Sequence, residues 1–516
     1  MTLPEIFLIL MMIGLMGGIL SGIPAMLAIA GVPLITALLG SLFGAFDLGF
    51  LKFFPARVYG IMSNPLLIAV PLFVLMGVLL ERSRVSERML MVLGRMLGGS
   101  PRGMALSVLA FSAIIAAATG IVGATVVMLV LISLPSMLGA GVPKHLASGL
   151  ICAGGTLGQI IPPSILLVLL GDQIGNTYME AQQRAGNFAP DSVSVGDLFA
   201  GALLPGLLLV ALYGIYVAVM LRGGAAPAQA AAQAAGRPRE PRPSLGEILS
   251  SFAPPILMIL AVLGSILMGV ATTTEAAGLG AVGALMLAGY QAPGPGRRMV
   301  ALGALAVLAL LVLRLITGGR YGMGLVLVAA VLVALLVLAL AISVRRLWGT
   351  GVLVSATDDS LRITGMVFGI VVAASLLALV FRGFGGDDLV AELMENLPGG
   401  QWGALIIIMA MVFLLGFILE AIEIIYIIVP LLGPPILGGD ISPVWFGVLL
   451  AMNLQTSFLT PPFGFALFYF RSVAPRDITT RDIYLGVAPF VMLQLVGLGI
   501  LIAYPPLATW LPSVLF

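Results

Sequence analysis

A single cysteine, Cys152, and a single histidine, His145, are all the thiol and imidazole this chain carries. An internal disulfide and a His/Cys metal centre are thereby excluded, and transition-metal or thiol redox chemistry with them. Charge is scarce too: Lys, Arg, Asp and Glu make up 9% of the 516 residues, and the net charge is +2. The arginines fall in short segments between apolar runs and form no sustained basic face, so nucleic acid is not an expected partner. No basic stretch precedes the first apolar run, because the first Lys or Arg is Lys52. Residues 1–20 therefore read as a retained first span and not as a cleaved signal. Also missing are the alternating segments about ten residues long that mark an outer-membrane barrel.

What the chain has in abundance is apolar length. Hydrophobic residues make up 60% of it and the mean hydropathy is +1.18, far from the averages of water-soluble domains. Uncharged runs of roughly 18 to 24 residues recur, about what a helix needs to cross ~30 Å of hydrocarbon. The expected fold is an all-α polytopic protein of the lipid bilayer. Spans are expected near 3–20, 23–40, 64–81, 146–170, 198–221, 252–270, 275–290, 299–316, 322–344, 361–381, 443–470 and 484–503. Two more apolar runs, about 104–133 and 401–433, are interrupted near their middles and are candidate re-entrant hairpins.

Lys and Arg collect in cytoplasmic loops. Arg82, Arg84, Arg88, Arg95 and Arg102 place 82–102 inside, and Arg222, Arg237, Arg239 and Arg242 do the same for the linker after the fifth span. Segment 104–133 must then leave and return on one side, as a hairpin does. Residues 171–197, with Asp172, Glu180, Asp191 and Asp197 against Arg184 alone, are expected to form an outer loop. In the second half Arg297, Arg298, Arg345, Arg346, Arg471, Arg476 and Arg481 mark the inside. Asp387, Asp388, Glu392, Glu395 and Asp440 flank the second hairpin on the outside. One hairpin enters from each face, and the N-terminus is expected to be periplasmic.

The halves repeat. Pro135 precedes the pair Pro162–Pro163 by 27 residues, and Pro434 precedes Pro461–Pro462 by the same 27, at an offset of 299. The expected organisation is a first inverted repeat over 1–250, a second over 251–516, and an inserted transmembrane pair at 291–346 that packs peripherally. Inverted repeats with discontinuous helices are a recurrent architecture of secondary transporters. The proline pairs are the expected helix breaks, since proline removes a backbone donor and clashes with the preceding turn. Carbonyls freed there need a partner in hydrocarbon. Na⁺, which takes oxygen ligands, is one candidate, and a kink satisfied by neighbouring helices is the other.

Each break faces a hairpin tip. Thr119-Gly120 and Gly123-Ala124-Thr125 interrupt the first hairpin, where helix N-termini present positive dipole ends. The second tip holds Glu420 and Glu423. A carboxylate at membrane depth is expensive, so Glu420 reads as a cation ligand or proton carrier, with a structural hydrogen bond at the turn as the competing role. Glu275, after Thr272-Thr273-Thr274, is expected to cap a helix start. His145 is expected at an interface and Cys152 as a packing residue.

These residues together resemble the large membrane subunit of tripartite ATP-independent periplasmic (TRAP) transporters over most of 1–290 and 361–516. The marks are Asn64-Pro65-Leu66-Leu67 through Pro71-Leu72-Phe73, the hairpin ending at Pro135, Gly155-Thr156-Leu157-Gly158 through Ser164, Thr274-Glu275-Ala276-Ala277, Thr460-Pro461-Pro462-Phe463-Gly464 and Trp510-Leu511-Pro512. The resemblance implies an elevator-type, Na⁺-driven uptake system for small organic acids in the bacterial inner membrane. It implies a small four-helix membrane subunit and a soluble periplasmic substrate-binding protein as separate partners, Na⁺ as coupling ion and no cofactor. It carries sodium ligation onto Thr119, Gly120, Gly155, Thr156 and Gly158, and onto Glu420, Asn453, Thr456, Ser457 and Thr460. Substrate is then expected between them, beside Thr125, Gln159 and Ser164. The chain departs from the family where the first tip usually reads Ser-Gly-Ser-Ser but here reads Thr119-Gly120-Ile121-Val122. At the second tip it has Glu420 in place of the usual Asp.

Within transport, the rival is a stand-alone Na⁺- or H⁺-coupled organic anion symporter that needs no binding protein. From another class, an intramembrane enzyme would require a nucleophile and base, or paired acids, at membrane depth. The lone histidine at a boundary does not supply them, so the chain is not expected to be an enzyme.

Overall fold

The computed structural model describes residues 2–83, 85–96, 100–187, 192–222, 243–317, 322–395 and 397–516, and among these there are helices and turns but no strand. Ten of the helices are long and apolar enough to cross a membrane. Arg84, Asp191, Arg237, Arg239 and Arg242, used above for orientation, lie outside the described residues.

Several helix starts are closed by reciprocal caps: Ser194 with Asp197, Ser244 with Glu247, Thr272 with Glu275 and Thr479 with Asp482. Such pairs satisfy N–H groups that the helix itself leaves free. The Thr272 N–H donates to the Glu275 carboxylate at 2.8 Å and the Glu275 N–H to the Thr272 hydroxyl at 3.3 Å, so Glu275 is a cap. His145 is exposed, and Cys152 is fully buried with its sulfur 3.9 Å from the Ala466 carbonyl oxygen.

The two interrupted runs are helical hairpins. The first joins Pro101–Thr119 to Val122–Gly139, and the second joins Gly400–Leu415 to Ala421–Leu432. Both proline pairs break a helix. Lys144–Thr156 passes through a short tight turn and Pro162–Pro163 before helix Ile165–Arg184 begins, and Pro443–Leu459 stops before Pro461–Pro462 and resumes as Phe465–Val473. Both Pro–Pro peptide bonds are cis. The return arm of each hairpin packs on the second segment of the other half's broken helix: Val122–Gly139 on Phe465–Val473, and Ala421–Leu432 on Ile165–Arg184.

Where two helices cross without side chains between them, glycine is obligatory. A Cβ on Gly149 would lie 2.0 Å from the Gly486 carbonyl oxygen, and one on Gly486 would lie 1.9 Å from the His145 carbonyl oxygen. Helix Lys144–Thr156 thus touches helix Thr480–Ala503 backbone to backbone, the small-residue contact that membrane helices use.

The pair Arg297–Thr317 and Met323–Gly349 is little covered: its most apolar windows are only 17% and 6% buried, and Val300 and Ala339 form a small separate core with Met286 of helix Thr273–Gln291. Three features differ from the sequence reading. Residues 171–184 of the expected outer loop are helical, because Ile165–Arg184 runs on for about five turns past the break. The span expected at 361–381 is the much longer helix Val352–Gly383. Short helices also occupy Phe54–Met62, Val85–Met96, Gly386–Glu395 and Pro506–Leu515.

Candidate functional site

At the first tip, Gly120 turns the chain in the left-handed region, with φ of 64°. Its missing side chain also leaves room for the break in the first broken helix: a Cβ there would sit 3.2 Å from the Ile165 nitrogen. Gly158 approaches from the other side, its Cβ position 3.1 Å from the Ala116 carbonyl oxygen and 3.5 Å from Gly120 Cα. Gly155 leaves room for Val126, whose side chain would be 2.3 Å from a Cβ. The Thr119 and Thr125 hydroxyls lie 2.8 Å apart across the turn, and each also lies within hydrogen-bond distance of a carbonyl one turn back, so one of them can donate to the other while the second donates to its carbonyl.

Thr156 donates to the Ala153 carbonyl at 2.9 Å and Ser164 to the Gln159 carbonyl at 3.1 Å. Gln159 is buried and its Oε1 has no hydrogen-bond partner. An unpaired buried acceptor is costly and calls for a donor, water or cation. Thr119, Gly120, Thr125, Gly155, Thr156, Gly158, Gln159 and Ser164 therefore converge on one junction between tip and break.

The second tip reaches its break through side chains. Asn453 donates to the Met409 carbonyl at 2.7 Å and Ser457 to the Phe413 carbonyl at 2.6 Å. Residues four apart on one helix face thus clasp carbonyls four apart on the hairpin's first arm. Gly416 admits this contact, since a Cβ there would lie 2.4 Å from the Ser457 hydroxyl. Thr456 and Thr460 bond within their own helix, to the Met452 and Thr456 carbonyls at 2.8 and 2.7 Å. Glu420 is the N-cap of the return arm, and its N–H donates to the Glu423 carboxylate at 3.2 Å. The two acids complement the positive end of that helix, and Glu423 is thereby a capping residue.

Sequence reasoning missed Tyr469. Its ring lies where a Cβ on Gly123 would be, 2.7 Å from the ring's Cζ, and it is close enough to Glu420 to interact with that charge. One aromatic side chain of the second broken helix therefore packs on the first hairpin, with the Glu420 charge nearby. No repeat or polar motif pointed to it, because a tyrosine in an apolar run carries no signal of its own.

Away from the spans, Lys144 fixes the start of the first broken helix to the loop before helix Thr480–Ala503. Its ammonium lies 2.9 Å from the Asp477 carboxylate and donates to the Asp477 carbonyl at 3.0 Å. The hydrogen bond from Lys144 holds the Asp477 carboxyl below its ordinary pKa.

The family model of the tripartite ATP-independent periplasmic transporter, DctM component, matches residues 6–305 and 291–507. The C4-dicarboxylate TRAP transporter large permease protein DctM of Rhodobacter capsulatus is 27% identical over 457 residues, covering 87% of each chain. The ectoine TRAP transporter large permease protein TeaC of Halomonas elongata is 24% identical over 511 residues, covering 98% of this chain and 99% of that protein. Among solved structures, the Alcanivorax borkumensis YdaH transporter, described as having an unusual topology, superposes with a TM-score of 0.53 at 14% identity. That likeness covers 91% of this chain and 90% of the other, and it is one of fold alone.

Proposed function

The chain belongs to the DctM component family of tripartite ATP-independent periplasmic transporters as a large permease subunit, and from that premise we propose that it takes small organic acids into the cell on the Na⁺ gradient. It is a multi-pass membrane protein and not an enzyme; its relatives are transporter permease subunits. The observation that carries the finer reading is the paired junction of hairpin tip and broken helix. Each half offers hydroxyl, amide and carbonyl oxygens there; at the first Gln159 Oε1 is unpartnered, and at the second the Glu420 carboxylate stands at the start of the return arm. An oxygen-only donor set suits a hard cation such as Na⁺.

In this reading Thr119, Gly120, Gly155, Thr156 and Gly158 hold one ion, and Glu420, Asn453, Thr456, Ser457 and Thr460 hold another. The acid sits between, beside Thr125, Gln159 and Ser164. The cross-packed hairpins and broken helices move together past the remaining spans in an elevator stroke, and Pro162–Pro163 and Pro461–Pro462 keep the breaks open. An acidic substrate accords with relatives named for C4-dicarboxylate, sialic acid and 2,3-diketo-L-gulonate. The proposed setting is the inner membrane with the N-terminus periplasmic, alongside a small membrane subunit and a soluble binding protein.

Dependence on those partners is the direct check. In proteoliposomes containing the chain and its small subunit, uptake of radiolabelled organic acids is expected only when the binding protein is supplied outside. Equal uptake without that protein would replace this reading with a stand-alone symporter.

A further inference from the structure

Away from the tips, a cavity of about 490 Å³ opens where helix Ile165–Arg184 and the arm Ala421–Leu432 meet the short helix Phe54–Met62 and helix Val352–Gly383. In a chain with 9% charged residues this cavity is lined by Arg57, Asn64, Asp172, Gln173, Arg382 and Tyr426. Most of these groups already have partners. Asp172 accepts from the Asn64 amide at 3.0 Å and the Gln173 amide at 3.1 Å. Arg382 pairs with Glu180 at 2.8 Å and lies 3.5 Å from Asp387, while Arg184 pairs with the same two acids at 2.7 and 2.6 Å. Two guanidiniums and two carboxylates thus neutralise one another.

Arg57 is left over. It is half-buried, lines the cavity, and has no hydrogen bond or ion pair among the described residues. Burial, and to a lesser degree the nearby Arg382, disfavour its charged form, while Glu180 and Asp387 favour it from a distance. A half-buried guanidinium with no direct ion-pair partner is free to take one, and its planar fork matches a carboxylate. Tyr426, which also lines the cavity, is 5% exposed, and its hydroxyl lies beside the Asp172 carboxylate and Gln173 without a well-aligned hydrogen bond to either. A guanidinium with no ion-pair partner and a poorly satisfied hydroxyl lining one cavity are what a small carboxylate would satisfy.

We infer that this cavity is a second acid-binding site, separate from the hairpin junctions, in which Arg57 pairs with the carboxylate and the Tyr426 hydroxyl donates to it. Tyr426 lies six residues beyond Glu420, roughly 9 Å along the helix axis, and none of the residues assigned to the tip junctions lines this cavity. On the orientation given by the Lys/Arg bias the cavity faces the periplasm, where an acid waits before reaching the tips. The identity of the ligand as an organic acid rests on the proposed transport function; the anion site rests on Arg57 and Tyr426.

The test measures binding without transport. The full chain in phosphatidylcholine nanodiscs is titrated with succinate in Na⁺-free buffer at constant ionic strength, and the thermal unfolding midpoint is followed. A saturable stabilisation is expected that weakens at least about tenfold in Arg57→Gln and several-fold in Tyr426→Phe, yet persists in Glu420→Gln. Should Arg57→Gln not fold, Tyr426→Phe and Arg57→Lys report on the same site. Undiminished succinate binding in Arg57→Gln, or binding lost in Glu420→Gln instead, would overturn the site. So would stabilisation that appears with phosphatidylglycerol nanodiscs but never with succinate, which would make the anion a lipid headgroup. Succinate binding through Arg57 in a chain that transports no acid would uphold the site and sink the transport function.

Discussion

Replacing Glu420 with alanine should cost Na⁺-driven uptake about 30- to 150-fold. That range corresponds to about 2–3 kcal/mol, the size of a lost hydrogen bond or ion contact to a charged group. Glu420 stands at the second tip as the N-cap of Ala421–Leu432. Its two possible roles separate experimentally. Loss of a cap alone costs ~1 kcal/mol of stability and leaves the half-saturating Na⁺ concentration unchanged. Loss of a cation ligand raises that concentration steeply, with little change in the unfolding midpoint measured without Na⁺. Glu420→Asp, which shortens the reach by one methylene and keeps the charge, should recover most of the activity. A midpoint shift with no change in Na⁺ dependence would reduce Glu420 to a cap.

The second large effect lies in the backbone crossing. Gly486→Val places a branched side chain where its Cβ alone would be 1.9 Å from the His145 carbonyl oxygen. The obstacle is helix backbone, so no rotamer change relieves it and the two helices must separate. Overpacking that can relax costs about 1–3 kcal/mol; here the expectation is the upper end or beyond, read as loss of the monodisperse peak on size exclusion. Gly499→Val is the control, because a Cβ at Gly499 meets nothing within 4 Å on the same helix. Equal yields from the two variants would mean that the close approach at Gly486 does not hold the helices together.

How far the sequence carried this account depends on what kind of signal each feature leaves. Long apolar runs and proline pairs are local and strong, so the spans, hairpins and breaks were legible. The offset of 299 between proline pairs corresponds to two matching cis peptide bonds and to two breaks, each against its own hairpin. The outer loop was misjudged because Asp172, Glu180 and Arg184 look like loop charges. They are satisfied within the helical protein by Asn64, Arg382 and Asp387, which lie far away in sequence. Gly149 and Gly486 were invisible among 65 glycines, since spacing alone does not show which of them faces another backbone. Tyr469 and Arg57 were missed for the same reason: their meaning comes from what the fold sets opposite them.

The central claim is that an inward Na⁺ gradient powers uptake through the two tip junctions. Its most direct test holds all three components constant and varies only the ions across the proteoliposome membrane. Accumulation of labelled acid is expected with high external and low internal Na⁺, and only slow equilibration with equal Na⁺ on both sides. Accumulation driven by a proton gradient in the complete absence of Na⁺ would contradict the account and recast Glu420 as a proton carrier.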